Sequence, residues 1–252
     1  PKTWFDQFDA VIFDECHQAK AESINMIGQK LSRAWFRVGT TGTLDQAQAH
    51  RLSIEGILGP AIQFIQTKNL MTKGLLATLG IDCILLKYTE QERQSLNKQR
   101  YPDELKWIVA NAKRNEFIKN LALSTKGNTL VLFNYVETHG KPLHDLIQAD
   151  GGDRPIYFIS GKTEADTRER IRRVVDKETN AILVASFGTT STGINIVNID
   201  NIIFASPTKS IIRLLQSIGR GLRVSAKKKT LKVFDIVDDV CHKSYKNHVY
   251  RH

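Results

Sequence analysis

The chain has 252 residues, of which 41% are hydrophobic and 25% are charged, as in an ordinary globular protein. No apolar run approaches the roughly 18–20 residues of a membrane-spanning helix, so the sequence argues against a membrane protein. The formal net charge of +10 suits a partner with a phosphate backbone, although a basic surface can also serve solubility alone.

The N-terminus and the cysteines indicate the cellular context. Pro1–Trp4 has no signal-peptide pattern and no initiator Met, which favours a fragment of a longer protein. The cysteines Cys16, Cys83 and Cys241 form no C-x-x-C pair, which argues against a disulfide framework or a zinc site. A reducing cytoplasm fits this cysteine usage best.

The first third of the chain predicts strands that alternate with helical or irregular segments. The apolar run Ala10–Phe13 is short and β-prone, and it predicts a buried strand that ends in acidic residues. A helix over Ala21–Leu31 and a strand near Trp35–Gly39 follow, and then a loop over Thr40–Thr43. The mixed pattern over Leu52–Leu79 predicts no particular element.

The rest of the chain begins with a predicted strand, Ile81–Tyr88, and a long amphipathic helix, Tyr101–Ser124. After a helix stop at Lys126–Asn128, strands and helices alternate regularly. The predicted elements are strand Thr129–Phe133, helix His139–Ala149, strand Ile156–Ile159, helix Thr163–Val175, strands Ala181–Ala185 and Asn201–Ala205, helix Ser210–Ser217 and strand Leu231–Val237. This alternation predicts an α/β fold whose parallel sheet is covered on both faces.

Polar clusters directly follow the predicted strands. In parallel α/β sheets, ligands lie beyond the carboxyl ends of the strands, so these clusters are candidate functional sites. They are Asp14–His17, Thr40–Thr43, Ser160–Thr163, Ser186–Asn195 and Ser206–Lys209.

Two acidic residues end the first predicted strand. Of Asp14 and Glu15, one carboxylate can hold Mg²⁺, usually through water, and the other can orient or deprotonate an attacking water. A solvated strand end without chemistry is the alternative. Cys16 and His17 follow directly, but adjacent residues rarely ligate one metal ion.

Two arginines lie three residues apart near the C-terminus. Arg220 and Arg223 follow Gly219, and their guanidinium groups suit the charge that develops on a γ-phosphate during phosphoryl transfer. A basic helix end that meets solvent is the alternative interpretation.

Five segments in this order, over about 200 residues, resemble the motifs of superfamily 2 helicases. Asp14–His17 resembles motif II in its D-E-C-H form, and Gln216–Arg223 resembles motif VI in its Q-x-x-G-R-x-x-R form. The segments between them resemble motifs III, IV and V, namely Gly39–Thr43, Val131–Asn134 and Ala185–Asn195.

This resemblance implies two RecA-like parallel-sheet units, the first of them incomplete. Residues 1–79 would be the partial first unit, and residues 80–252 a connecting segment and the second unit. ATP and Mg²⁺ would be the cofactors, with Mg²⁺ on Asp14, Glu15 activating water, and Arg220 and Arg223 at the γ-phosphate.

The resemblance also implies roles for the remaining motif residues. His17, Gln216, Gly193 and Asn195 would line the nucleotide site, although many members carry Asp where this chain has Asn195. Residues that couple the ATP state to domain movement would be Thr41, Gly42 and Thr43. Nucleic-acid contacts would come from Gly161, Lys162, Thr163, Thr189 and Thr190.

Within the superfamily, the motif residues resemble the recombination and repair branch, which includes XPB-like and restriction-enzyme translocases. Gln216 replaces the His of DEAD-box RNA helicases, and Cys16-His17 replaces their Ala-Asp. The branch implies an ATP-dependent motor that acts on branched DNA such as forks and junctions. An RNA helicase is less favoured, and a monomer is favoured over an oligomer.

No G-x-x-x-x-G-K-[ST] segment precedes Asp14. Gly161-Lys162-Thr163 matches only the end of that pattern, because the first glycine would fall at Ile156. The chain alone is therefore expected to lack ATPase activity. Three functions stay open: a motor ATPase, a nucleic-acid-binding module without turnover, and an unrelated nucleotide enzyme.

Basic clusters and tryptophans have two interpretations each. The arginines on the predicted helix after Thr163 and the run Lys227–Lys229 could contact phosphate, or serve solubility and ion pairing. The tryptophans Trp4, Trp35 and Trp107 are predicted to belong to the core rather than to stack on bases. The arginines in question are Arg168, Arg170, Arg172 and Arg173.

Overall fold

The computed structural model describes residues 2–17, 22–42, 48–191, 198–208, 210–224 and 230–240. The chain forms two compact units, Pro1–Gln66 and Thr67–His252. Both contain parallel sheets, which confirms the predicted α/β class. The sequence places the boundary after Leu79, but the strand Thr78–Lys87 belongs to the larger unit because it pairs along its whole length with that unit's last strand.

The smaller unit contains two parallel strands, which pair in register from Ala10↔Phe36 to Asp14↔Thr40. Phe13, Cys16, Ile54 and Leu58 form a small core on one face of this sheet. The elements of the unit are α1 (Lys2–Phe5), β1 (Ala10–Asp14), α2 (Glu22–Lys30), β2 (Phe36–Thr40) and α3 (Gln48–Leu58).

The other face of this sheet exposes apolar side chains. Ile12 is 72% exposed and Phe36 70%, and the preceding Trp35 is 86% exposed. Side chains of a strand alternate between faces, and among the described residues the core covers only one face. The predictions of a buried first strand and of Trp4 and Trp35 as core residues are therefore wrong for this structure.

The larger unit contains a six-stranded parallel sheet with the strand order β3-β8-β7-β4-β6-β5. Its described elements are α4 (Thr67–Thr72), β3 (Thr78–Lys87), α5 (Glu90–Asn97), α6 (Tyr101–Ala110), α7 (Ala112–Ser124), β4 (Thr129–Phe133), a π-helix (Val136–Gly140), α8 (Lys141–Asp150), β5 (Ile156–Ile159), α9 (Ala165–Lys177), β6 (Ile182–Ser186), α10 (Phe187–Ser191), β7 (Asn201–Phe204), α11 (Ile211–Gly221) and β8 (Thr230–Asp239). No described helix is long and apolar enough to cross a membrane.

Two apolar cores lie on opposite faces of this sheet. On β4, Leu132 belongs to the core that contains residues of α9 and α11, whereas Val131 belongs to the core that contains residues of α7 and α8. All five residues of β4 and of β6 are buried. The prediction of a sheet covered on both faces is confirmed for this unit, and it explains the continuous apolar runs of its strands.

The long helix predicted over Tyr101–Ser124 is two helices that meet at Asn111. The Asn111 side chain accepts a hydrogen bond from the backbone N–H of Arg114 at 3.0 Å and so caps the start of α7. The helix predicted from His139 begins as a π-helix and continues as α8. The apolar periodicity of the sequence shows neither the end of α6 at Asn111 nor the change from π-helix to α-helix at Lys141.

A buried ion pair ties α7 to the last strand. Arg114 Nε donates to Asp238 Oδ1 at 2.7 Å, and its Nη2 donates to Oδ2 at 3.1 Å. The Tyr88 hydroxyl donates to the same carboxylate at 2.7 Å, and burial, followed by the Asp238 charge, raises the pKa of that hydroxyl. Trp107 packs edge-on against Tyr88, with ring centroids 5.4 Å apart.

Asn128 connects three loops at the amino end of the sheet. Its side-chain nitrogen donates to the carbonyls of Glu178 at 2.7 Å and Asn198 at 2.8 Å. Its side-chain oxygen accepts from the N–H of Ala181 at 2.9 Å. Because Asn128 is fully buried, losing its side chain would leave these backbone groups without partners.

We expect Asn128→Ala to lower the free energy of unfolding by about 2–4 kcal/mol, since several buried hydrogen bonds are lost at once. Urea unfolding followed by circular dichroism measures this change. The matched control is Asn97→Ala, at the exposed end of α5, which should cost less than about 0.5 kcal/mol. Equal effects of the two changes would contradict the structural role of Asn128.

Candidate nucleotide site and nucleic-acid interface

Asp14 and Thr40 lie side by side at the carboxyl ends of β1 and β2. The Thr40 hydroxyl donates to Asp14 Oδ1 at 3.0 Å, and the N–H of Glu15 donates to the same oxygen at 2.9 Å. Two donors thus orient an exposed carboxylate at the edge of the sheet.

Glu15 has an unusual backbone conformation. Its φ of +50° makes it the one residue other than glycine with a positive φ in the described part of the chain. Such a conformation costs of order 1 kcal/mol or more for a side chain of this kind, and strain of this type concentrates at functional sites. Its side chain is 45% exposed, and Oε2 lies 3.2 Å from His17 Nδ1.

His17 links this acidic segment to the segment after β2. The buried imidazole has Nδ1 2.9 Å from the Thr41 hydroxyl oxygen. Close packing beneath this contact requires Gly39, because a Cβ there would lie 2.5 Å from a methyl carbon of Leu58 and 3.0 Å from the Cys16 sulfur. The structure therefore brings Asp14, Cys16 and His17 of motif II beside Gly39, Thr40 and Thr41 of motif III. Thr43 lies outside the described residues.

The oxygen atoms at this edge suit Mg²⁺. No group of three or more His, Cys, Asp or Glu side chains that could hold a metal occurs among the described residues. Magnesium bound together with a nucleotide needs fewer protein ligands, because phosphate oxygens and water complete its octahedral coordination. One oriented carboxylate, Asp14, with the Thr40 hydroxyl beside it, fits that requirement.

The residues assigned to motif VI lie at the end of α11. Gln216 and Arg220 are partly buried on the helix, and Arg223 lies exposed just beyond it. Gly221 allows the helix end to approach the sheet, since a Cβ there would lie 2.8 Å from a Leu231 methyl carbon. The Leu222 carbonyl accepts from the Ala77 N–H at 2.8 Å, which fixes the backbone between the two arginines.

The segment after β5 forms a closed turn. The Ser160 N–H donates to the Thr163 hydroxyl at 3.0 Å, and the Thr163 N–H donates to the Ser160 carbonyl at 3.0 Å. The amides of Ser160 and Thr163 are therefore engaged inside the turn. Gly161 is exposed, and the Lys162 side chain is 79% exposed.

The segment after β6 is only partly described. The Thr189 hydroxyl is buried and hydrogen-bonded to the Ser186 hydroxyl, so it is not on the surface. The backbone of Thr190 continues α10. The side chain of Thr190, and Gly193 and Asn195 as a whole, lie outside the described residues, and their predicted roles stay predictions.

Sequence reasoning missed a polar network between β4 and β7. The Ser206 hydroxyl oxygen accepts from the Asn134 N–H at 3.0 Å and lies 2.8 Å from His139 Nδ1. The Asn134 side chain also donates to the Pro207 carbonyl at 3.0 Å. The sequence predicts Ser206–Lys209 as a polar cluster after a strand and places Asn134 in motif IV, but nothing in it shows that β4 and β7 are neighbours.

The arginines of α9 form ion pairs within the helix. Arg172 contacts Glu169 at 2.6 Å and Asp176 at 2.8 Å, and Arg173 contacts Glu169 at 3.0 Å. Arg172, followed by Arg173, lowers the pKa of Glu169 to about 2. These contacts favour the ion-pairing interpretation for Arg172 and Arg173, whereas Lys227–Lys229 lie outside the described residues.

Burial, followed by the charge of Arg114, lowers the pKa of His139 from 6.5 to about 3. The unfolded chain takes up a proton below pH 6.5 and the folded chain does not, so His139 destabilises the fold as the pH falls between those values. We expect the stability of the wild type relative to His139→Gln to fall by about 2 kcal/mol between pH 7.5 and pH 5. Urea unfolding over this range tests it, and parallel pH profiles would contradict it.

Comparison with known proteins supports this interpretation. Residues 112–225 match the helicase conserved C-terminal domain. The motifs predict a resemblance to superfamily 2 helicases, and this match and the relatives described next confirm that resemblance.

Among curated relatives, the chain is similar to the ATP-dependent DNA helicase UvsW of Enterobacteria phage T4. The two are 34% identical over 241 residues, which is 94% of this chain and 47% of the relative. The putative ATP-dependent helicase IRC3 of Saccharomyces cerevisiae is 24% identical over 90% of this chain and 34% of its own length. The chain thus spans less than half the length of these two relatives.

Solved structures show the same fold. The crystal structure of T4 UvsW matches with a TM-score of 0.60 and 29% identity, over 100% of this chain and 52% of that one. The Type ISP restriction-modification enzyme LlaBIII, bound to DNA, matches with a TM-score of 0.63 over 97% of this chain and 19% of that one. At 15% identity, the second match supports the fold alone.

Proposed function

We propose that this chain is the part of an ATP-dependent DNA helicase or translocase that supplies motifs II to VI. The observation that carries the proposal is the contact of Asp14 with Thr40 and of His17 with Thr41. It joins two distant segments into one polar cluster at the carboxyl ends of two parallel strands, where nucleotides bind in such sheets.

In this proposal Asp14 would hold Mg²⁺, and Glu15 would accept the proton of the attacking water. When bound, Mg²⁺ would neutralise charge on the phosphate oxygens. The hydrogen bonds from Thr40 and from the N–H of Glu15 orient the Asp14 carboxylate before any ligand arrives. The contacts of His17 with Glu15 and Thr41 give a route by which the state of the nucleotide reaches the segment after β2.

Arginines would supply the positive charge. Arg220 and Arg223 would stabilise the charge that develops on the transferred phosphoryl group, and Gln216, Gly193 and Asn195 would contact the nucleotide. The Ala77 N–H donates a hydrogen bond to the Leu222 carbonyl and so holds the backbone between the two arginines in place. Thr41, Gly42 and Thr43 would transmit closure of the site to the nucleic acid.

DNA would lie along the carboxyl edge of the larger sheet, at Gly161–Thr163 and at Thr190, whereas the buried Thr189 hydroxyl does not fit its predicted contact with DNA. The exposed Lys162 and the basic balance of the chain support a phosphate-backbone partner. We infer that the partner is DNA, because the 34% identical relative is named a DNA helicase. Branched DNA, and a role in recombination or repair, are proposed from the motif residues Cys16-His17 and Gln216 alone. A viral relative named a putative RNA helicase is only 24% identical.

A nucleic-acid-binding module without turnover is the second candidate. Residues 1–252 contain no G-x-x-x-x-G-K-[ST] segment, and a triphosphate beside Asp14 and Glu15 needs such a positively charged cradle. We therefore propose that residues 1–252 bind DNA but do not hydrolyse ATP unless another segment supplies that loop.

The proposed roles are tested in a polypeptide in which residues 1–252 follow a segment that supplies a phosphate-binding loop. There, Glu15→Gln should lower the ATPase rate by about 100-fold or more, because the general base is lost, while ATP binding persists. Arg220→Ala or Arg223→Ala should lower the rate by about 1000-fold with DNA affinity unchanged.

The control is Arg100→Ala, whose exposed side chain forms an ion pair with Asp103 at the start of α6, and which should leave turnover intact. If the arginine variants lost DNA binding and kept hydrolysis, Arg220 and Arg223 would be backbone contacts instead. Normal ATP turnover by the Glu15→Gln variant would contradict the assignment of Glu15 as the general base.

A further inference from the structure

A carboxylate lies between two lysines at the carboxyl edge of the larger sheet. Glu137 Oε1 contacts Lys162 Nζ at 3.1 Å, and its Oε2 contacts Lys141 Nζ at 2.7 Å. All three side chains are more than half exposed. Attraction between opposite charges at the surface therefore holds the three side chains together, since they are not packed into the core.

The sheet topology places this triad across the end of β6. Glu137 belongs to the π-helix after β4, Lys141 begins α8, and Lys162 lies in the turn after β5. Since β6 lies between β4 and β5, the ion pair from Glu137 to Lys162 joins the loops on either side of it. The segment assigned to motif V, Ala185–Asn195, begins at this carboxyl end of β6.

The charges of the triad decide what it does to an anionic ligand. Hydrogen bonds from Lys141 and then Lys162 hold the pKa of Glu137 below its ordinary value, so the carboxylate is ionised at neutral pH. A phosphate that contacts Lys162 must share its ammonium group with Glu137 or displace the carboxylate. Exposed ion pairs are worth only about 0–1 kcal/mol, so displacement is feasible but not free.

We propose that Glu137 competes with the DNA backbone for Lys162 and Lys141 and so limits how tightly the larger unit holds DNA. The proposal rests on the proposed function and deepens it, because it names a residue that tunes the affinity of the nucleic-acid contact. A motor that advances along DNA must release each contact, and a carboxylate built into the contact favours release.

The test measures binding of residues 1–252 to a fluorescein-labelled single-stranded DNA by anisotropy over a series of salt concentrations. Glu137→Gln keeps the shape of the side chain and removes its charge. We expect its affinity at low salt to rise about fivefold, because an anion close to the phosphate is removed. The plot of log affinity against log salt should steepen by about 0.7, the value for one further phosphate contact on a single strand.

The matched control is Asp153→Asn, which makes the same change of charge in the turn before β5, at the amino edge of the sheet. It should change neither affinity nor slope beyond error. Lys162→Ala should weaken binding. In the Lys162→Ala variant, Glu137→Gln should raise the affinity much less than it does in the wild type. Glu137, Lys162 and Asp153 are exposed, so none of these variants should change the urea midpoint of unfolding. An unchanged midpoint shows that the variant is folded.

The outcomes separate the inference from the function on which it rests. If Lys162→Ala weakens binding while Glu137→Gln has no effect or weakens it too, the competition is refuted and the DNA contact stands. An equal gain from Asp153→Asn would refute it as well, because net charge alone would then explain the effect. If wild-type residues 1–252 bind no DNA, both the contact at Lys162 and the inference fail.

Discussion

Parallel strand pairing is the constraint on which the candidate site depends. Because the carboxyl ends of parallel strands meet at one edge, Asp14 and Thr40 lie in contact although they are 26 residues apart in the chain. The same geometry in the larger unit gathers the segments after β4, β5, β6 and β7 along one edge. Each unit therefore presents short polar segments at one edge of its sheet.

The larger unit is the better packed of the two. Its sheet has an apolar core on each face, and the buried pair of Arg114 and Asp238 ties α7 to the last strand. In the smaller unit, Ile12, Trp35 and Phe36 are exposed. Exposed apolar strands are prone to aggregation, so the smaller unit is expected to be the less stable part of the chain.

Several features could be predicted from the sequence because local patterns determine them. The strands Thr129–Phe133 and Ile156–Ile159 agree with the structure residue by residue, since apolar runs bounded by turns define buried strands. The contacts of Asp14 with Thr40 and of His139 with Ser206 could not be predicted, because they depend on which strands are neighbours. Exposure of Trp35 depends on what covers a face of the sheet, which its own sequence does not encode.

The central proposal is that residues 1–252 would supply the metal, base and arginine parts of an ATPase site, and that hydrolysis would need a phosphate-binding loop that these residues do not contain. The direct test is steady-state ATP hydrolysis with DNA present, for residues 1–252 alone and for the same residues joined to a segment that supplies the loop. The account predicts no hydrolysis in the first case, and hydrolysis that Asp14→Ala abolishes in the second. Hydrolysis by residues 1–252 alone, unaffected by Asp14→Ala, would contradict it.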